Sequence, residues 1–309
     1  MIAVLLATYN GTKYLPELFD SLFNQTCQDF TVYVHDDGSK DNTCDIIAEY
    51  SKMYPERVQI LWGPPTGSPK ANFMWMMSQV EAPYYMFCDQ DDVWEGNKVE
   101  KSMEAMIAIV QDSYVPTLVF SDMTVVDEQL KVTQASFVGG LGRSVRNTRF
   151  TQVLIDNPAA GCTMLFNNAL KEVALGCPDI DAIPMHDVWM LLMADIFGKV
   201  TGLEDRLVRY RQTGDNIMGA GTEDDIDKVS RNASDIKSGS FLKKKREFVQ
   251  SSKDLAKVLL MMDKLPAKVR LLLKDYVEIG SKPKLARIYF YKKNKFERAR
   301  NNAWYYMWI

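Results

Sequence analysis

Over roughly the first 120 residues, short apolar runs alternate with stretches whose apolar positions recur at helical spacing. Residues 2–7 are uninterrupted hydrophobics and predict a buried strand, with a loop at residues 8–12 and an amphipathic helix to about Asn24. Residues 31–35 alternate apolar and polar and predict a second strand, which stops at Asp36-Asp37-Gly38-Ser39. Asp41 is placed to cap a helix carrying Ile46, Ile47 and Tyr50. Residues 58–61 predict a third strand. The run Gly63-Pro64-Pro65-Thr66-Gly67-Ser68-Pro69 excludes regular structure, and a helix over 71–80 follows. Residues 84–88 form a strand that delivers an acidic cluster, 97–111 a helix, and 117–121 a strand ending at Asp122. Such alternation predicts an α/β fold with a mainly parallel, Rossmann-like central sheet.

Beyond Asp122 the pattern loosens. A Gly-rich stretch (Gly139, Gly140, Gly142) precedes a strand at 163–166 and a helix at 187–197. Residues 214–235 are polar and acidic and read as a loop; from Phe241 onward the spacing is helical, with breaks near Pro266 and Pro283. Charge changes the picture at this point. The net charge of −3 hides 19 Lys/Arg against 6 Asp/Glu from Lys237 onward, a net +13, which leaves −16 on the first 236 residues. The expected organisation is therefore a domain over residues 1–236 and a basic helical appendage over 237–309. No apolar run reaches the ~18–20 residues needed to span a bilayer. The opening lacks a charged n-region and reads as a strand, not a signal peptide. Five scattered cysteines without metal-site spacing fit a reducing cytoplasm.

The candidate chemistry sits where strands end. Thr8-Tyr9-Asn10, Asp36-Asp37-Gly38-Ser39 and Asp89-Gln90-Asp91-Asp92 each follow a strand, so a parallel sheet brings them to one crevice. Three carboxylates within four positions repel unless a cation or hydrogen-bond donors compensate them, and Mg²⁺ or Mn²⁺ shared with substrate phosphates would do so. A solvated acidic turn is the plain alternative. For a nucleotide diphosphate, Asp37 suits a base N–H, Asp89 the ribose hydroxyls and Asp91 the cation. Arg211 and Gln212, at the end of another strand, can meet diphosphate oxygens. Lys70 and Asn72, at a helix start, can reach donor phosphates. Asp187 precedes an apolar helix, where a first-turn acid is favoured on helix grounds alone.

Taken in order, ATYNG (residues 7–11), DDGSKDNT (36–43), DQDDVW (89–94) followed by Asn97-Lys98, HDVW (186–189) and YRQTGDN (210–216) resemble glycosyltransferase family 2 with its GT-A fold. The likeness is nearest to bacterial polysaccharide enzymes of the rhamnosyltransferase type and covers roughly residues 1–220. It implies inverting transfer of a sugar from a nucleotide-diphosphate donor. Donor contacts are implied at Thr8, Tyr9, Asn10 and Asp37, a ribose contact at Asp89, a metal contact at Asp91, and the catalytic base at Asp187. His186, Trp189, Gly161 and Cys162 fall on the implied acceptor side. An unperturbed Asp, with a pKa of ~3.9, would be a weak base. Thr213 stands where relatives often carry His, which leaves a third metal ligand open.

The expected donor is dTDP-rhamnose first and a UDP-hexose or UDP-N-acetylhexosamine second. The expected acceptor is a growing lipid-linked glycan of the cell wall or capsule, met by a cytoplasmic enzyme peripheral at the inner face of the plasma membrane. Lys243-Lys244-Lys245-Arg246, Lys292, Lys293, Lys295, Arg298 and Arg300, with Trp304, Tyr305, Tyr306, Trp308 and Ile309, fit an anionic membrane interface. A soluble helical cap is the alternative. Nucleic acid is not an expected partner, because the remainder is acidic and carries no readout motif. A sugar-phosphate nucleotidyltransferase would need a Gly-rich, basic loop after the first strand, and Thr8-Tyr9-Asn10-Gly11 is not one. A non-catalytic glycan- or membrane-binding protein stays open.

Overall fold

The computed structural model describes residues 1–213, 240–298 and Tyr306, with the side chains of 240–246 excepted. The acidic segment 214–235, together with Arg300, Trp304, Tyr305, Trp308 and Ile309, lies outside the described residues. In chain order the elements are β1 (Ile2–Thr8), α1 (Leu15–Phe23), β2 (Phe30–Asp36), α2 (Thr43–Met53), β3 (Val58–Ile60) and α3 (Pro69–Gln79). Next come β4 (Tyr84–Asp89), β5 (Val93–Trp94), α4 (Lys98–Ile109), β6 (Thr117–Val126) and β7 (Val132–Gln134). The short α5 (Phe137–Gly140) and α6 (Phe150–Val153) lead to β8 (Met164–Asn167), α7 (Asn168–Leu175), α8 (His186–Phe197) and β9 (Lys199–Arg211). Three C-terminal helices follow: α9 (Ser240–Leu260), α10 (Ala267–Glu278) and α11 (Lys284–Asn294). The breaks at Pro266 and Pro283 fall where proline denies a helix its backbone donor, and each stands just before a new helix.

One sheet holds the described strands in the order β3-β2-β1-β4-β8-β6-β9-β5, with β7 paired to β6. The half formed by β3, β2, β1 and β4 is parallel, as the strand–helix alternation requires. Beyond β4, β8 runs antiparallel between β4 and β6, and β9 returns parallel to β6. β1 is central and buried on both faces, which is why it reads as a continuous apolar run. On α1, Leu15, Leu18, Phe19 and Leu22 are fully buried on one face, each stabilising the fold by roughly 1.5–3 kcal/mol. Pro69 opens α3, where the Ser68 hydroxyl accepts from Ala71 N at 3.2 Å.

One expected boundary moves. The strand expected to end at Asp122 continues to Val126, because the buried Asp122 carboxylate is satisfied in place. It accepts from Met123 N at 2.8 Å, Val138 N at 3.0 Å and the Ser136 hydroxyl at 2.5 Å, and the pairing with β9 slips there. The C-terminal helices pack on the sheet body: Leu255, Ala256, Leu259, Leu273, Tyr276 and Phe296 belong to the same buried cluster as the strands.

Candidate active site

Strand register builds the site. In the β1–β2 and β1–β4 pairs, Thr8 faces Asp36 and Ala7 faces Asp89, so the three strand-end motifs emerge side by side. Thr8 itself is buried, and its hydroxyl donates to Asp36 Oδ2 at 2.9 Å. It shapes the edge from beneath and does not line it for a donor. Asp36 also accepts from the Ser39 hydroxyl at 2.5 Å and from Ser39 N at 2.7 Å. Burial works to raise its pKa, but these donors outweigh it and hold the carboxyl below its usual range.

Tyr9 and Asn10 do reach the surface. The Gln90 carboxamide accepts from Tyr9 N and donates to Tyr9 O, both at 2.8 Å, which ties the first motif to the third. A side chain at Gly11 would collide with that carboxamide. Asn10 adopts φ 50°, donates through N to the Ser39 hydroxyl and accepts from Lys40 N. Asp37 is half-buried and closes on the proline loop, accepting from Thr66 N, from the Thr66 hydroxyl at 2.9 Å and from Gly67 N at 3.1 Å.

The acidic turn holds more charge than its surroundings neutralise. Asp89 and Asp91 are half-buried and Asp92 is buried. Burial, with repulsion from Asp91 and Asp187, pushes the Asp89 carboxyl up to about 7. Burial also raises Asp91 and raises Asp92 well above the ordinary range. Beneath them lies Lys98, fully buried. Its ammonium donates to Cys162 O at 2.7 Å and sits 3.1 Å from the Trp94 ring centroid. Burial lowers it to about 8, so it remains largely protonated at neutral pH and supplies an internal counter-charge.

Arg211 corrects an expectation. Its side chain is fully buried and turned inward: Nε donates to Asp91 O at 2.8 Å, Nη1 to Glu128 O at 2.5 Å, and Nη2 pairs with Glu17. Its backbone N donates to Asp92 Oδ1 at 3.2 Å. Arg211 thus fixes the carboxylate turn from behind and presents no fork to a diphosphate. Gln212 follows, half-buried, its N donating to Val126 O.

Asp187 enters the same site from α8, close enough for its charge to raise Asp89. Burial pushes its own carboxyl up to about 6, moderated by N–H donation from Val188 (2.6 Å) and Gly161 and by the charge of Arg143. It is therefore a stronger base than its residue type promised, yet still ionised at pH 7. His186 differs from expectation. Its ring packs at 4.4 Å from Phe73 and 4.8 Å from Phe87, and neither nitrogen has a hydrogen-bond partner among the described residues. Burial lowers it to about 3 and keeps it neutral. A side chain at Gly161 would collide with its Nε2. Trp189 is a core residue, fully buried, with Nε1 donating to Ala174 O at 2.9 Å.

Lys70 and Asn72 also find other work. Lys70 Nζ donates to Asp181 O at 3.0 Å and Ile183 O at 2.7 Å, pinning the segment that leads into Asp187. Asn72 is buried against His35 Nδ1 at 2.8 Å. Gln90 and Lys98 stand within the quoted motifs but without these roles, and the Thr66–Gly67 clasp and Arg143, which pairs with Asp156 at 2.7 Å, carry no signal there.

A divalent cation suits this donor set. Hard carboxylates predominate, and burial with repulsion from Asp91 and Asp187 raises Asp89 in spite of the nearby Lys98 charge. Ligand atoms of Asp89, Asp92 and Cys162 lie within 4.8 Å of one another, and Asp92 Oδ2 has the Cys162 thiol beside it but no N–H or O–H donor among the described residues.

Comparison with known proteins identifies the fold and the family. The dTDP-rhamnosyl transferase RfbG of Shigella flexneri is 31% identical over 109 residues, 33% of this chain and 37% of that protein. This chain thus spans little more than a third of that relative's length. The structure of S. aureus TarS 1-349 in complex with UDP-GlcNAc superposes with a TM-score of 0.56 at 17% identity, over 90% of this chain and 71% of that one. The mannosyltransferase PcManGT from Pyrobaculum calidifontis, in complex with GDP-Man and Mn²⁺, gives 0.50 at 13% identity over 96% and 84%. Both likenesses establish the fold. The model of the family described as Glycosyl transferase family 2 matches residues 3–174, from β1 to α7 and across the motifs that follow β1, β2 and β4, so the chain belongs to glycosyl transferase family 2.

Proposed function

We propose that the chain is an inverting glycosyltransferase that moves a sugar from a nucleotide-diphosphate donor to a hydroxyl of a cell-surface polysaccharide. One observation carries this reading: Gly161 donates its N–H to Asp187, and the thiol of the next residue, Cys162, lies within 4.8 Å of carboxylate oxygens of Asp89 and Asp92, so the candidate base and the strand-end acids share one site. A base and a nucleotide-diphosphate edge must lie this close for direct displacement at the anomeric carbon.

In this mechanism the catalytic part lies within residues 1–236. Asp37, held by Thr66 and Gly67, accepts the imide N–H of a uracil or thymine. Asp89 accepts from a ribose hydroxyl, with Tyr9 and Asn10 flanking the nucleoside. A divalent cation, Mg²⁺ or Mn²⁺, would be held at Asp91 with Asp89 beside it, and when bound it offsets charge on the leaving diphosphate. Arg211 and Lys98 keep that carboxylate turn in place. Asp187 takes the proton of the acceptor hydroxyl, oriented by N–H donation from Gly161 and Val188. The hydroxyl oxygen then attacks the anomeric carbon opposite the leaving diphosphate, which inverts the configuration.

The similarity to a dTDP-rhamnosyl transferase supports rhamnose as the first donor to test, and the fold shared with a UDP-GlcNAc complex supports a UDP-sugar as the second. We take the acceptor to be a lipid-linked glycan at the inner membrane face, reached by a peripheral enzyme. Among the described residues, no helix is long and apolar enough to cross a membrane. A thermal-shift panel of dTDP- and UDP-sugars with and without Mn²⁺, followed by assay of nucleoside diphosphate release, tests the reading. At least one donor is expected to raise the midpoint in the presence of Mn²⁺. A panel in which no nucleotide sugar stabilises the protein would overturn it.

A further inference from the structure

The outer face of α11 has a composition that packing does not explain. Leu285 is 82% exposed and Tyr289, one turn on, is 66% exposed. Lys293 completes the stripe a further turn along, its Nζ 5.8 Å from the Tyr289 ring centroid. The helix is already anchored from its other side. Tyr291 is buried against Tyr276 at 5.6 Å, and Phe296 stacks on Tyr276 at 4.2 Å. Leu285 and Tyr289 therefore add nothing to the core, and a single exposed apolar residue would need no explanation.

The segment that carries this face is cationic, although Arg287 is half-buried. Residues 279–296 carry six cations (Lys282, Lys284, Arg287, Lys292, Lys293 and Lys295) and no acid. At the C-terminal end of α11, Lys293 and Lys295 open with Arg149, Phe150 and Leu272 onto a cleft of about 350 Å³. The acid in that cleft, Asp195, already accepts from Phe150 N at 2.6 Å. Exposed leucine and tyrosine flanked by lysines, beside a cationic cleft with apolar walls, match the layered chemistry of a bilayer surface: acyl chains, then phosphates.

We propose that the outer face of α11, with the Arg149–Lys293–Lys295 cleft, docks the protein on an anionic phospholipid bilayer. Leu285 and Tyr289 enter the interface, the lysines meet headgroup phosphates, and the cleft receives one of them. The purpose of this docking rests on the reading of a lipid-linked acceptor; the docking itself requires no catalysis.

The test is flotation of the full chain with vesicles of phosphatidylcholine alone and of phosphatidylcholine mixed with phosphatidylglycerol. The wild-type protein should float with the anionic vesicles only, and less as salt is added. Lys292→Glu with Lys293→Glu should lower the bound fraction roughly tenfold or more, and Leu285→Ser with Tyr289→Ser should also release the protein. Donor binding in solution should remain at the wild-type level in both, which separates this inference from the proposed function. The lysine pair changes only exposed groups and tests the same face should the apolar pair impair folding. Binding to neither vesicle, equal binding to both, or wild-type flotation of the lysine variant would overturn the proposal. The last of these would place any membrane contact elsewhere in the chain.

Discussion

The donor edge and the C-terminal helices each gather charge of one sign, and they handle it in opposite ways. At the donor edge Asp89, Asp91 and Asp92 are half-buried or buried, held by Arg211 from behind and balanced in part by the buried ammonium of Lys98. On α11 Lys292 and Lys293 are exposed, each beside a tyrosine ring, and the helix carries no acid. Buried like charges distort each other's pKa values and call for a compact counter-ion at a fixed place. Exposed like charges are screened, cost little, and suit an extended partner. A single residue type shows the contrast: Lys98 is enclosed by the fold, whereas Lys293 is exposed and touches only the Tyr289 ring among the described residues.

The largest expected effect lies at the base. Asp187→Asn should lower kcat by about a thousandfold or more while donor affinity stays within about twofold, as read by steady-state assay and calorimetry. Since burial pushes Asp187 up to about 6, wild-type kcat should fall as pH drops through about 6, where the base gains its proton. An unchanged rate in the variant, or a pH profile flat between 5 and 7, would remove Asp187 from that role.

Next comes the counter-charge. Lys98→Met leaves buried carboxylates uncompensated and should destabilise the fold by about 3–5 kcal/mol in urea unfolding at neutral pH. The deficit should shrink toward acid, because the carboxylates then carry protons. The same logic gives the metal-free wild type an unusual slope. Asp89 has a folded pKa raised to about 7, so its contribution to stability is fully present below its unfolded value near 4 and is lost as pH rises through about 7. Saturating Mn²⁺ should reverse that slope, since a cation binds the deprotonated carboxylates; thermal midpoints across pH, with and without the ion, decide it.

Smaller effects complete the contrast. Asp37→Ala removes the acceptor that holds Thr66 and Gly67 and should weaken donor binding by about tenfold, roughly 1.4 kcal/mol. Lys292→Ala, on the exposed face, should change stability by less than about 0.5 kcal/mol. If Lys292→Ala cost as much as Lys98→Met, the two regions would not differ as described.

Much of this was legible in the sequence. The parallel half of the sheet follows from apolar runs separated by helically spaced segments, and period alone assigns them. The strand-end acids follow from the same reading, because a parallel sheet has one carboxyl edge. Side-chain direction was not legible. Arg211 has the composition of a phosphate ligand, yet its strand turns it inward onto Asp91 O and Glu17, which lies 194 positions away. Lys70 stands at a helix start, where phosphate contacts are common, but the carbonyls of Asp181 and Ile183 are nearer. Lys98 was visible as a residue but not as a buried one, since burying a lysine is costly and sequence patterns place it outside. In each case a long-range contact decided the role, and no local pattern encodes such contacts.

Central to the proposed chemistry is a cation-supported nucleotide-sugar site formed by the strand-end acids. Calorimetric titration of dTDP-rhamnose and UDP-sugars into the full chain, with and without Mn²⁺ and repeated on Asp91→Ala, tests it most directly. The expected result is a donor whose affinity rises about tenfold or more with Mn²⁺ in the wild type and not in the variant. Equal affinity with and without Mn²⁺, in wild type and Asp91→Ala alike, would rule out a cation-supported donor site.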